Sequence, residues 1–233
     1  MIEGVELWKS FGKQTVLSDV TFEIPDGKII GLSGKSGIGK TTLARILCGI
    51  IPPDRGNVRL NGVPLWGNLA YKRAVGLKIQ MVSQHPYASL DPKQKLISGF
   101  REMIRYHRFA APGAETEALI ESSVNGVGLS MDILRQFPHQ ISGGEAQRIV
   151  LARCLMFHPE LLILDEATSM LDVSTQANII GLVKRMQTAQ GRSVLLISHD
   201  RELVEALCDH IYEIKDTKIT EKSPFREKKT EDL

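Results

Sequence analysis

One stretch of this sequence constrains its fold more than any other: residues 34–41 match the pattern G-x-x-x-x-G-K-[ST]. An apolar run that predicts a buried strand (28–32) precedes the match, and a run that predicts a helix (43–47) follows it. In that context, the glycines let backbone N–H groups turn inward, and the helix adds the positive end of its dipole. The pattern therefore predicts a phosphate-binding loop in an α/β domain. Residues 34–41 are called the phosphate loop below.

The side chains of the phosphate loop have distinct expected roles. The Lys40 ammonium reaches the β- and γ-phosphates of a nucleotide, and the Thr41 hydroxyl is a ligand for Mg²⁺. The alternative is a glycine-rich turn that matches by accident, which happens about once in a hundred chains of this length. The flanking strand and helix make that accident rarer still. The predicted nucleotide contacts here are Gly34, Lys35, Ser36, Gly37, Ile38, Gly39, Lys40, Thr41 and Thr42.

Two adjacent carboxylates follow a second apolar strand at residues 161–164. Ligands of open α/β sheets bind outside the carboxyl ends of the strands, so Asp165 and Glu166 are expected near the phosphate loop. Asp165 would hold Mg²⁺, directly or through water, and Glu166 would act as a general base or polarise the attacking water. A solvated strand end is the commoner explanation of such a pair alone. Its combination with the phosphate loop favours the catalytic interpretation.

A Ser-Gly-Gly-Glu sequence at residues 142–145 begins a predicted helix that runs to about residue 156. Ser142 and Glu145 have the spacing of a capping box. A capping box does not require the two glycines between them, which suit the close approach of an anion to a helix N-terminus. The sequence therefore predicts a second phosphate-binding element.

Residues 141–153 resemble the signature motif of ATP-binding cassette (ABC) ATPases. The other motifs of that family are also present, in the family's order, and the resemblance covers residues 1–221. The resemblance implies that two such domains pack head to tail, so that the signature of one contacts the ATP of the other. The signature residues that it implies are Ser142, Gly143, Gly144 and Glu145.

The resemblance also gives roles to four residues outside these motifs. They are Phe11, which would stack on adenine; Gln84, which would ligate Mg²⁺ and sense the γ-phosphate; Asp172 of the D-loop, which would contact the opposite subunit; and His199, which would hydrogen-bond the γ-phosphate. Each residue taken singly has a plainer explanation. These are, in the same order, a core aromatic, a solvated residue after a strand, a helix N-cap and a loop histidine.

The remainder of the chain alternates strands and helices, which is typical of a largely parallel sheet. The resemblance implies the ABC ATPase fold: an α/β P-loop NTPase core with a mostly parallel sheet, N-terminal antiparallel strands and an inserted helical subdomain. We expect a single domain over residues 1–222, with the insertion at about 93–140. The last strand is expected near 210–214, and a charged, flexible tail at 223–233.

Composition limits the function classes. The net charge of +2 gives no sequence-wide reason to expect nucleic-acid or anionic-membrane binding. The three cysteines lack C-x-x-C spacing, which argues for a reducing compartment. No apolar run approaches the roughly 20 residues of a membrane span, and the first six residues lack the features of a signal peptide. Any membrane role is therefore expected to come through partner chains.

Residues 84–92 narrow the choice within the family, because they resemble the Q-loop region of importer ATPases for oligopeptides, dipeptides and nickel. The sequence departs from the usual Q-loop pattern at His85, where Asp is usual. It also departs from the usual signature motif, at Glu145. The resemblance implies a subunit that hydrolyses ATP, with Mg²⁺, to power uptake of nickel, another metal chelate or an oligopeptide.

The same resemblance implies the partners and the location. The partners are two integral-membrane permease subunits, a second ABC ATPase chain in a homo- or heterodimer and, indirectly, an extracytoplasmic solute-binding protein. The chain would lie peripherally on the cytoplasmic face of the cell membrane. The alternatives are a soluble ABC ATPase that acts in DNA repair or on ribosomes, and a regulatory partner with an inactive site. Nucleic acid is not expected as a partner.

Overall fold

The computed structural model describes residues 1–67, 75–167 and 173–222. The strands within these ranges are β1 (Ile2–Phe11), β2 (Gln14–Ile24), β3 (Ile29–Ser33), β4 (Arg55–Leu60), β5 (Val63–Pro64), β6 (Ile79–Val82), β7 (Leu161–Asp165), β8 (Ser193–Ile197), β9 (His210–Lys215) and β10 (Lys218–Lys222). The helices are α1 (Lys40–Leu47), α2 (Leu96–His107), α3 (Ala114–Gly126), α4 (Gly143–Leu155), α5 (Val173–Gln190) and α6 (Arg201–Leu207). Short 3₁₀ helices lie at Pro86–Ser89, Met131–Arg135 and Pro138–Gln140.

The N-terminal strands form an antiparallel sheet in the order β2-β1-β4-β5. A two-residue turn joins β1 to β2, with Phe11 opposite Gln14 and Gly12 at a φ of +59°. The register of β1 against β2 shifts three times, and Glu6 has a φ of +50°. These irregularities break the alternation of apolar and polar residues, which is why the sequence does not delimit β1.

The second sheet has the strand order β10-β9-β3-β8-β7-β6. Strand β3 pairs in parallel with both β8 and β9, β7 pairs in parallel with β8, and β10 is an antiparallel edge strand on β9. The predicted α/β class with a mostly parallel sheet is confirmed. The prediction that the last strand lies near 210–214 is wrong, because β10 follows it. Only Ile219 is apolar in β10, so backbone pairing with β9 and not hydrophobic pattern specifies this strand.

The described chain divides into two compact units. The first comprises the described residues among 1–81, residues 160–166 and the described residues from 186 onward. Its core consists mainly of buried aliphatic side chains from both sheets and from α1, and burial of each leucine, isoleucine or valine contributes about 1.5–3 kcal/mol. This core fixes the strand ends that carry the phosphate loop and the Asp165-Glu166 pair.

The second unit comprises residues 82–159 and the described residues among 167–185, and it contains α2, α3 and α4. Its buried side chains follow helical spacing: α2 buries Leu96, Phe100 and Ile104, one residue per turn. The predicted helical insertion at 93–140 falls within the first of its two segments, and its boundaries stay a prediction. Among the helices of the described residues, none has the length and apolar character needed to cross a membrane.

Candidate functional site

Three loops of the first unit meet at the carboxyl ends of adjacent parallel strands. In the sheet register, Ile197 at the end of β8 lies opposite both Leu32 of β3 and Asp165 of β7. The Glu166 N–H donates to the Ile197 carbonyl across 2.9 Å and fixes the loop after β7 against β8. The phosphate loop, the Asp165-Glu166 pair and the loop with His199 therefore occupy one edge of the sheet, where ligands of such sheets bind.

Glycine is required at two positions of the phosphate loop. Gly39, directly before α1, has a φ of +119°, and a Cβ there would lie 2.6 Å from Val16 Cγ1. Gly34 has a φ of +147°, and a Cβ there would lie 2.8 Å from the Ile214 carbonyl oxygen. An L-residue at either position would have both a strained backbone and a steric clash.

Lys40 lies at the first position of α1 and is only 5% exposed. Its ammonium donates to the Gly34 carbonyl at 2.9 Å and to the Lys35 carbonyl at 3.0 Å. The side chain thus folds back across the phosphate loop, with its positive charge held beside the loop backbone. This places a cation where the loop would meet a phosphate group.

Thr41 and Asp165 are joined by a hydrogen bond from the Thr41 hydroxyl to the Asp165 carboxylate. Asp165 is 5% exposed, and this burial raises the pKa of its carboxyl group above the ordinary value. The hydrogen bond from Thr41 opposes the shift, whereas the charge of Glu166 adds to it. A hydroxyl and a carboxylate side by side are the hard oxygen ligands that suit Mg²⁺.

Glu166 and His199 face each other from the ends of β7 and β8. The Glu166 Oε2 lies 4.0 Å from the His199 Nδ1, with the glutamate side chain 22% exposed and the histidine 67% exposed. Glu166 has a φ of +50°, a left-handed conformation that costs a residue other than glycine about 1–3 kcal/mol and that occurs often at active sites. The strained backbone holds the carboxylate next to Asp165 and within reach of a solvent molecule.

Phe11 is 53% exposed at the tip of the β1–β2 hairpin, so it is not a core aromatic. The Lys9 ammonium lies 5.6 Å from the centre of the ring and pairs with Asp54 at 2.8 Å. Hydrogen bonds from Lys9 and then from the Ser10 N–H hold the pKa of Asp54 below its ordinary value. No local pattern points to Asp54, because its contacts with Lys9 and Ser10 span more than forty residues. It orders the strand end that carries Phe11.

Gln84 lies in the second unit, half-buried in the bend that follows β6. Two contacts tie its segment to the signature segment. The Tyr87 hydroxyl donates to the Ile141 carbonyl at 2.9 Å, and the buried Gln147 side chain donates to the Ser83 carbonyl at 3.4 Å. Neither Tyr87 nor Gln147 was predicted as a functional residue, although Tyr87 lies inside the 84–92 segment.

Ser142 is the N-cap of α4, and it forms a complete capping box with Glu145. The Glu145 N–H donates to Ser142 Oγ at 3.3 Å, and Glu145 Oε2 accepts from the Ser142 N–H at 2.8 Å. The capping box does not require a glycine at position 143. Packing does not require one either, since a Cβ there would meet nothing within 4 Å in the described residues. The chain's own packing leaves the choice of glycine there unexplained, whereas the approach of an outside group would explain it.

The predicted site residues thus fall into two groups. The first unit holds Phe11, the phosphate loop with Thr42, the Asp165-Glu166 pair and His199. The second unit holds Gln84 and the signature residues. The predicted D-loop residue Asp172 lies outside the described residues.

Comparison with known proteins identifies relatives over most of the chain. The family model described as ABC transporter matches residues 17–169. The nickel import ATP-binding protein NikE of Escherichia coli (strain K12) is 38% identical over 218 residues, which cover 93% of this chain and 81% of that protein. The putative oligopeptide transport ATP-binding protein YkfD of Bacillus subtilis (strain 168) is 38% identical over 203 residues, which cover 85% of this chain and 61% of that protein.

Solved structures share the fold. The ATP-binding cassette MJ0796, a dimer in a post-hydrolysis state bound to ADP and Pi, superposes with a TM-score of 0.86 at 24% identity and covers 96% of this chain and 98% of its own. CbiO1 from Clostridium perfringens, part of the ABC transporter complex cbiONQ, has a TM-score of 0.82 at 23% identity and covers 96% of this chain and 88% of its own. At these identities the likeness establishes the fold and no more.

Proposed function

The chain belongs to the ABC transporter family, and we propose on that basis that it is the ATP-binding and ATP-hydrolysing subunit of an importer. Family membership makes it an ATPase. The observation that carries the mechanism is the meeting of the phosphate loop, Asp165, Glu166 and His199 at one edge of the parallel sheet.

Nucleotide binding follows from the phosphate loop. Its backbone N–H groups and the N-terminus of α1 bind the phosphates, and the Lys40 ammonium supplies the positive charge. Since Lys40 already donates to two loop carbonyls, its side chain is ordered before the nucleotide arrives, and less conformational entropy is lost on binding. The exposed ring of Phe11 offers a flat face on which adenine stacks.

Thr41 and Asp165 would hold Mg²⁺, with Gln84 as the further ligand that the family resemblance implies. When bound, the ion neutralises the charge that develops on the β- and γ-phosphates. Asp165 must be ionised for this role. Burial raises the pKa of this carboxyl group, and the positive charge of the ion would offset the cost of holding the buried carboxylate ionised.

Hydrolysis is assigned to Glu166 and His199. Glu166 orients the attacking water and accepts its proton, and His199 hydrogen-bonds the γ-phosphate. The hydrogen bond from the Glu166 N–H to Ile197 keeps the two side chains in register at neighbouring strand ends. Positioning and electrostatics lower the barrier, without a covalent intermediate on the protein.

The second nucleotide contact comes from a partner cassette. The signature residues Ser142, Gly143, Gly144 and Glu145 would face the ATP bound to the partner, and Asp172 would contact the opposite subunit. The open space at Gly143 supports this proposal, because an outside group can approach the helix N-terminus closely there. ATP stabilises the closed dimer and hydrolysis releases it, which is a population shift between two states.

Nickel, another metal chelate or an oligopeptide is the proposed cargo, and separate permease subunits would conduct it. The resemblance of residues 84–92 to importer Q-loops supports this proposal, as do the two relatives, one named for nickel import and one for oligopeptide transport. The chain would act peripherally on the cytoplasmic face of the membrane, with a second ATPase chain and, indirectly, a solute-binding protein.

Affinity purification tests this function. The tagged chain is purified from gently solubilised native membranes, and the co-purifying proteins are identified by mass spectrometry. Cells that express the tag alone are the control. Two polytopic permeases together with a second cassette ATPase are the expected result. Co-purification with ribosomes or DNA-bound proteins, without membrane proteins, would instead support the soluble alternative.

A further inference from the structure

Glu145 places a carboxylate in the first turn of α4. In the proposed dimer, this carboxylate would face the partner's nucleotide. We infer that Glu145 weakens the binding of this signature to the partner-bound ATP, by engaging the Ser142 hydroxyl and by repelling the γ-phosphate. Glu145 thereby acts as a positioning residue that limits how tightly the ATP-bound dimer closes. The inference rests on the proposed function.

The Ser142 hydroxyl is already engaged in a hydrogen bond to Glu145. Glu145 Oε2 accepts from both the Ser142 N–H and the Ser142 hydroxyl, each at 2.8 Å. A serine hydroxyl has one proton to donate. While that proton is directed at Glu145, it cannot be donated to a phosphate oxygen. The signature serine must therefore break this contact before it donates to the partner's nucleotide.

The negative charge of Glu145 also opposes the approach of a triphosphate. Hydrogen bonds from the Ser142 backbone and then from its side chain lower the pKa of Glu145, so the carboxylate is ionised at neutral pH. Arg148 is the cation that acts on it. The Arg148 guanidinium, however, donates to the Gly144 carbonyl at 3.4 Å and to the Gly128 carbonyl at 3.2 Å, so it is not dedicated to Glu145. A negative charge thus remains where a triphosphate would approach.

Replacement of Glu145 by glutamine tests the charge and the serine contact without disturbing the fold. The side-chain oxygen of a Glu145→Gln variant still accepts from the Ser142 N–H, so the capping box is kept. The variant has no negative charge, and its side-chain oxygen is a weaker competitor for the serine hydroxyl than a carboxylate. The substitution therefore removes the proposed repulsion and leaves the helix start in place.

The test measures dimer affinity in the presence of Mg-ATP. Glu145→Gln is introduced into a Glu166→Gln chain, in which hydrolysis is blocked, and the monomer–dimer equilibrium is measured by analytical ultracentrifugation. The expected result is a dimer about tenfold tighter than that of Glu166→Gln alone, equivalent to about 1.4 kcal/mol. The gain should shrink from about 0.1 M to about 1 M salt, since the Debye length falls from about 10 Å to about 3 Å. A merely structural role would not produce this salt dependence.

Glu121→Gln is the matched control, since Glu121 is exposed on α3 and the substitution changes the net charge equally. An unchanged or weaker dimer with Glu145→Gln, or an equal gain with Glu121→Gln, overturns the inference and leaves the proposed function standing. If all variants bind ATP but none forms an ATP-dependent dimer, the inference is overturned, whereas the proposed function stands, because a different ATPase chain can be the second cassette.

Discussion

Asp165 is a single residue whose place in the site for a metal–nucleotide complex destabilises the protein, because its carboxylate is buried. The carboxyl is almost fully buried, and burial is the main reason why its pKa is raised. In the folded protein it therefore keeps its proton to a higher pH than in the unfolded chain. The stability that this group contributes is present below its unfolded pKa and is lost as the pH rises through the raised folded pKa.

Asp165→Asn should accordingly stabilise the nucleotide-free protein near pH 7, because asparagine carries no charge and its oxygen still accepts from Thr41. We expect the melting temperature to rise by about 2–4 °C, the response of a domain of this size to about 1 kcal/mol. Mg²⁺-dependent ATP hydrolysis should be lost in the same variant. Calorimetry at several pH values checks the first result, with exposed Asp132→Asn as the control. A lower melting temperature at pH 7 would contradict the assignment of burial as the dominant cause.

Lys40→Ala should weaken nucleotide binding by about 10–100-fold, the range expected for a lost hydrogen bond to a charged group worth about 1.5–3 kcal/mol. Titration of the purified protein with a fluorescent ATP analogue measures the affinity. Lys218→Ala, which removes an exposed lysine from β10, is the control. Equal affinities for Lys40→Ala and the wild type would remove Lys40 from the phosphate site.

Among structural elements, the phosphate loop shows that its glycines are not equally necessary. Some positions exclude any side chain, whereas others require only a left-handed backbone. Gly39 has a φ of +119°, and a Cβ added there would clash with Val16. Gly37 has a φ of +74°, and a Cβ added there would meet no described atom within 4 Å. Gly39→Ala should therefore distort the start of α1 and abolish ATP binding. Gly37→Ala should cost only about 1–2 kcal/mol of stability and retain binding. Melting temperatures and ATP affinities of the two variants test this difference, and equal effects would contradict it.

The bounds of a strand can be predicted from the sequence where its apolar residues are also its buried residues. The buried strands β3 and β7 have continuous apolar sequences, and the sequence delimits them closely. It does not delimit β1 or β10. In β1, bulges and a positive φ interrupt the alternation, and in β10 edge pairing alone sets the strand. Those features depend on partners distant in sequence, which a local pattern does not contain.

The sequence selects residues for the candidate site, but it does not predict how they are arranged. Motif spacing selects the phosphate loop and the Asp165-Glu166 pair, because both follow strands of recognisable pattern. The sequence does not predict the left-handed backbone of Glu166 or the contact between Asp54 and Lys9. It shows that Ser142 and Glu145 could form a capping box, but only the coordinates show that the serine hydroxyl itself donates to the carboxylate.

At the scale of the whole molecule, ATP binding should stabilise the fold, since the nucleotide binds only the folded chain. At about 1,000 times its dissociation constant, a ligand adds about 4 kcal/mol to the free energy of unfolding. For the Glu166→Gln variant with Mg-ATP, we expect a rise of about 8 °C or more in the melting temperature. Chelation of Mg²⁺ with EDTA should remove much of this rise. A thermal shift that does not respond to EDTA would contradict the role of Thr41 and Asp165 in holding the ion.

We propose that this chain hydrolyses ATP at the strand ends with Glu166 as the essential carboxylate. The most direct measurement compares steady-state Mg-ATP hydrolysis by the wild type, by Glu166→Gln and by the exposed control Glu202→Gln, with ATP affinity measured for each. Glu166→Gln should lower hydrolysis by at least about 10²-fold, as expected for loss of a general base, while it still binds ATP. Hydrolysis by Glu166→Gln at the wild-type rate would contradict the claim.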